Sequence, residues 1–167
     1  MTKKIPFLLA ILCMVGGVLI AIVFGANEDF FHNKIKAGLE KNSSIQSIQD
    51  PVEKEAKIKS ESEKNWRYYQ RFHFHATGIG AMIMGLLLFL TQLNAPARSI
   101  SVASYLISTG GFLYPFVWLF AGIFGPEMGR SQAKEAFAIF GYMGGVFLLG
   151  CIWTFVLAIG YDMKRTS

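Results

Sequence analysis

Three residues of this chain are suited to chemistry by type and position: His32, His73 and His75. Imidazole nitrogens ligate transition metals and haem iron, and they titrate near neutral pH. The spacing of the last two restricts what they can do. Each residue of an α-helix turns about 100°, so positions i and i+2 point to nearly opposite faces. His73 and His75 therefore cannot clasp one ion as an i,i+4 pair does. His73 shares its stripe with Thr77, Gly80 and Met84, and His75 shares its own with Gly78, Ile79 and Met82. The first stripe is smaller and more polar, which makes His73 the better candidate for facing a neighbouring helix.

Two cofactor readings follow. Haem b held by two imidazoles needs a second ligand from another helix at the same depth. No other apolar stretch contains a histidine, so His32, a partner subunit, Met128 or Met143 would have to supply it. A copper or zinc site through His32, His73 and His75 would draw on Glu28, Asp29, Glu127 or Glu135. Nothing in the spacing demands either. The competing expectation is that the histidines are interfacial side chains bonded to water, lipid headgroups or backbone, where the penalty for an ionisable group is small.

Other reaction chemistry finds no support. The sequence has no Gly-rich phosphate loop, no H-E-x-x-H and no G-x-S-x-G. Cys13 and Cys151 both fall inside apolar tracts, which suits small buried side chains better than a disulfide or a metal cluster.

The elements that must position these residues follow from the charge distribution. Hydrophobic residues make up 53% of the 167, and charged ones only 16% against about a quarter in a soluble domain. Of the 27 charged residues, 17 lie between Glu28 and Arg71, which leaves long tracts nearly free of charge. A small soluble protein has too little polar surface to cover so many apolar helices. The expected fold is all-α: an integral membrane four-helix bundle, with a helical polar segment between the first and second spans.

The first span occupies residues 1–25, a polar and largely helical segment 26–71, the second span 72–93, the third 100–124 and the fourth 133–161, before a basic tail at 162–167. The first apolar stretch, about 20 residues long, exceeds the ~7–15 of a signal-peptide core, so an uncleaved anchor is expected. Leu12-Cys13 lacks the small residue that lipidation needs. Asn94-Ala95-Pro96-Ala97-Arg98 makes a tight turn, Gly125-Pro126 ends the third span, and short connections make neighbouring spans antiparallel.

In the polar segment, Asp50-Pro51-Val52-Glu53 has the form of a helix start, with Asp50 as N-cap and Pro51 in the first turn. No breaker follows before Thr77, so the second membrane helix is expected to begin outside the bilayer. Glu53–Lys57, Glu55–Lys59 and Glu63–Arg67 stand at i,i+4, each worth a few tenths of a kcal/mol. A shorter helix carrying Phe31, Ile35 and Leu39 is expected before it, ending near Asn42. Trp66, Tyr68 and Tyr69 suit the headgroup layer.

Lipid tails are as apolar as leucine, so membrane helices associate through close backbone approach and interhelical hydrogen bonds. The expected packing residues are the i,i+4 small pairs Gly17 and Ala21, Ala76 and Gly80, Ala81 and Gly85, and Gly141 and Gly145, together with Gly111 and Pro115. Ala121 and Gly125 repeat the spacing. Pro115 cannot donate to the Gly111 carbonyl, so the third span should kink.

Lys3 and Lys4 before the first span, with Arg98, Lys164 and Arg165, favour both termini in the cytoplasm by the positive-inside rule. The nine Lys and Arg of the polar segment count the other way, although eight acidic residues accompany them. The net charge of +5 lies at the ends of apolar tracts and meets headgroups, so nucleic acid is not an expected partner. The absence of charge from the centre of every span argues against an ion pump. The functional expectation is a non-catalytic accessory or structural subunit of a larger membrane complex, with a membrane protein partner or a second copy of itself. The alternative is a small redox protein carrying haem b or a metal.

Overall fold

The computed structural model describes residues 4–164; the basic residues Lys3 and Arg165 lie outside the described residues. The chain is all-helical. In chain order the helices are α1 (Lys4–Ala26), α2 (Glu28–Lys41), α3 (Ser43–Gln46), α4 (Pro51–Gln92), α5 (Ala97–Leu113), α6 (Phe116–Met128), α7 (Arg130–Ala136) and α8 (Ala138–Gly160). Among the described residues, four helical stretches are long and apolar enough to cross a membrane: α1, α4, α5 with α6, and α8.

Helix α4 has 42 residues. At 1.5 Å per residue it is about 63 Å long, roughly twice a hydrocarbon core. Its charge is confined to the part before Phe72, and the apolar part that follows is by itself long enough to cross a hydrocarbon core. Asp50 starts it by accepting from Val52 N at 2.9 Å, with Pro51 in the first turn, where its missing N–H costs nothing.

The third apolar stretch is broken. Tyr114 and Pro115 separate α5 from α6, because Pro115 has no N–H for the Gly111 carbonyl and Val117 bonds back only to Tyr114. The expected stop at Gly125-Pro126 is not where the helix ends. Helix α6 runs through Pro126 to Met128 and stops at Gly129, whose φ of 96° is open to glycine without strain. Pro126 removes one bond near the end of the helix, and Asn42 Nδ2 donates to the last-turn carbonyls of Pro126 and Glu127 at 3.1 and 2.9 Å. The fourth stretch is also divided. Phe137 leaves the helical path between α7 and α8, its ring packed against Phe120 and Phe124.

Helices α1, α4 and α5 share a core of Ala10, Ile83, Leu87, Leu90 and Ile107. Helix α8 does not complete a closed square. It packs mainly along α5, with lesser contact to α6 and α4, and buries only Gly150, Thr154 and Leu157. At one end the start of α1, the turn after α4 and the end of α8 come together. There Asn94 N donates to Asp162 O and Lys164 N to Gln92 O, zipping the tail onto the turn.

Candidate functional site

The polar end of the molecule is built by α2 lying against α4 and α6. Its buried face is Phe31, Ile35 and Leu39, one residue per turn, the periodicity of an amphipathic helix. These side chains meet Phe24 of α1, Trp66 and Tyr69 of α4, and Leu119 and Ile123 of α6. The rings of Phe24, Phe31, Trp66 and Tyr69 pack edge-on or tilted at centroid separations of 4.9–6.3 Å. Gly38 permits the approach to α6, since a β-carbon there would lie 2.7 Å from Pro126 Cβ.

A polar clamp ties α4 to the start of α7. Arg130 Nε donates to Glu61 Oε2 at 2.7 Å, and Lys64 Nζ lies 3.0 Å from Oε1. Burial pushes the Glu61 carboxyl up, but the hydrogen bonds and charges of Arg130 and Lys64 outweigh it and hold the group below its ordinary value of 4.5. The carboxylate in turn raises Arg130. One turn on, Asn65 is wholly buried. Its Nδ2 donates to Glu61 O at 2.8 Å, and its Oδ1 faces Gly125 with no hydrogen-bond partner among the described residues. The sequence alone does not single out Glu61, Asn65 or Arg130. The signal available there was an asparagine one turn from a glutamate on a helix otherwise spaced for surface charge.

The three histidines do not converge. His73 Nδ1–H donates to Gly17 O at 2.7 Å, across the seam between α4 and α1. His75 Nδ1–H donates to Arg71 O at 2.8 Å on its own helix, and its ring lies beside Tyr114 and Trp118. His32 contacts Glu28 at 3.4 Å and packs on Trp66. The two α4 rings thus face different neighbours, as a 200° separation requires. Among the described residues no three His, Cys, Asp or Glu side chains come together as a metal site. A haem or metal held by two of this chain's own histidines does not fit this arrangement. Cys13 and Cys151 are free thiols; Cys13 Sγ–H donates to Ala76 O at 3.2 Å.

The expected packing residues divide into two groups. At Gly17 a β-carbon would lie 2.7 Å from Thr77 N, and at Gly80 it would lie 2.9 Å from Met14 N, so these glycines and buried Ala76 form the α1–α4 seam. Ala21 is partly buried beyond them. Gly111 lies against Ile79 and Ile83, and Pro115 is buried. Gly141 has only Val117 nearby, at 3.8 Å. Ala81 and Gly85 lie on an exposed face of α4, and Gly145 faces open space on α8, so none of these three packs within the chain. The α5–α8 seam uses Gly110 and Gly150 instead: a β-carbon on Gly110 would come within 2.9 Å of Met143 O, and one on Gly150 within 2.7 Å of Ile107 N.

Between α2 and α4 runs an open groove of about 670 Å³. Lys36, Glu55, Lys59, Glu63 and Arg67 line it, and none of them forms an ion pair among the described residues. The expected i,i+4 pairs Glu53–Lys57, Glu55–Lys59 and Glu63–Arg67 are not closed. Lys57 instead leans 3.9 Å from Glu61, toward the one carboxylate already fixed by Arg130. Exposed pairs gain too little to hold two long side chains together.

Comparison of the chain with protein-family models, with curated proteins and with solved structures finds no match.

Proposed function

We propose that this chain is a multi-pass integral membrane protein acting as a non-catalytic accessory subunit of a larger membrane assembly, with the groove between α2 and α4 as its docking face. The observation that carries the reading is the contrast between two sides of one helix. Around Glu61, charges are gathered and mutually satisfied. In the groove, five charges of both signs have no ion-pair partner among the described residues, along about three turns of α4 and one of α2. Such a row offers register and partner choice to a protein segment of complementary charge. The occupant is a membrane protein partner or a second copy of the chain, and nucleic acid is not called for. The end carrying Lys4, Arg98 and Lys164 is the cytoplasmic one, which puts both termini inside. The dispersal of the histidines leaves the haem or metal alternative without a second histidine from this chain at the same place.

Extraction from native membranes in mild detergent tests the proposal. A companion chain is expected to copurify and to be lost when Lys59→Glu and Arg67→Glu are combined. A monodisperse single chain with no companion at native expression levels, or a companion indifferent to that reversal, overturns it.

A further inference from the structure

We infer that the opposite end of the molecule holds one anionic phospholipid, with an acyl chain in the cleft between α1, α4 and α5 and the phosphate at Lys164. The inference rests on reading the four long helices as membrane spans and is independent of the accessory role.

The cleft has a volume of about 320 Å³. Phe7, Leu87, Leu90 and Ile100 give it an apolar floor, so its interior suits hydrocarbon. From Ala97 at the start of α5, lining residues extend to Tyr105, about 12 Å along the helix axis. Ser104 is among them, but its hydroxyl already donates to Ile100 O at 2.7 Å and makes no polar demand on an occupant.

Charge selects the kind of lipid. Lys164 lines the cleft, is exposed, and is held in place by the chain itself. Its backbone N–H bonds Gln92 O at 2.7 Å, and its ammonium donates to Thr91 O at 2.6 Å. An ammonium has three protons, so two remain for a headgroup. Lys4 and Arg98 stand at the same end, and within residues 4–10, 88–104 and 157–164 the only carboxylate is Asp162. Three cations against one anion, beside an apolar cleft, favour an anionic headgroup over a zwitterionic one.

The test is native mass spectrometry of the full chain in detergent, with phosphatidylglycerol and phosphatidylcholine of identical acyl chains added at equal concentration. Phosphatidylglycerol is expected to be retained over phosphatidylcholine by about fivefold, the factor one lysine contributes beside an anionic headgroup. Lys164→Gln is expected to lower that preference, with Lys4 and Arg98 sustaining what remains. Ser104→Leu, which projects into the cleft, is expected to lower retention of both lipids while circular dichroism shows unchanged helicity. Equal retention of the two lipids by the unaltered chain overturns the inference and leaves the cleft to detergent or a partner helix. So does a preference left undiminished by Lys164→Gln, or undiminished retention in a helical Ser104→Leu protein.

Discussion

The Nδ1–H of His73 donates to the main-chain oxygen of Gly17 over 2.7 Å, joining two helices where a β-carbon on Gly17 would meet the backbone of Thr77. The bond depends on the glycine, because any side chain there would hold the helices apart. Gly17 is buried, and its seam continues through Ala76 and Gly80. His73→Ala is expected to cost about 1 kcal/mol, the scale of one interhelical hydrogen bond, as a lowered midpoint of unfolding in detergent.

Glycine substitutions should separate the real seams from the apparent ones. Gly17→Val and Gly110→Val each press a side chain into backbone and are expected to destabilise by about 1–3 kcal/mol. Gly145→Ala meets open space and should stay within about 0.5 kcal/mol of the unaltered protein. Thermal denaturation of the three purified variants checks the ordering.

The Glu61–Arg130 clamp gives the polar end an acid dependence. The folded-state carboxyl is held below 4.5, so its stabilisation is present in full above that value. It is lost as pH falls from 4.5 through the folded value. Glu61→Gln should remove this component of the acid dependence and cost about 1 kcal/mol at neutral pH. Denaturant titrations at pH 7 and pH 4 on both proteins measure the difference.

Asn42 fastens the end of α2 to the last turn of α6 through two hydrogen bonds from one amide. Asn42→Ala also removes the acceptor for Ser44 N at the start of α3. A loss of about 1–2 kcal/mol is expected, localised there. Hydrogen exchange should quicken over residues 38–48 with little change in the core around Ile83.

Much of the architecture is legible in the sequence because its causes are local. Charge-free stretches of sufficient length mark the helices able to cross a membrane, and Asp50-Pro51 marks where α4 starts. The 200° offset between His73 and His75 follows from helix geometry alone. What the sequence conceals depends on partners distant along the chain. Pro126 looks like a terminator until Asn42, 84 residues away, supplies donors to the carbonyls at the helix end. Glycine spacing shows which residues permit close approach but not which face meets a neighbour, so Gly145 resembles Gly110 until the helices are placed. Glu61 looks like one surface charge among many until Arg130 arrives from a different helix.

The peripheral position of α8 bears on the order in which the molecule is made. Of the core residues around Ile83, all but Leu157 come from α1, α4, α5 and the turn after α4, which precede α8 in synthesis. Those three helices can settle against one another while the last helix is still leaving the ribosome. Helix α8 then needs only to find the groove at Gly110, and the tail behind it fastens Lys164 to the turn already waiting at Gln92.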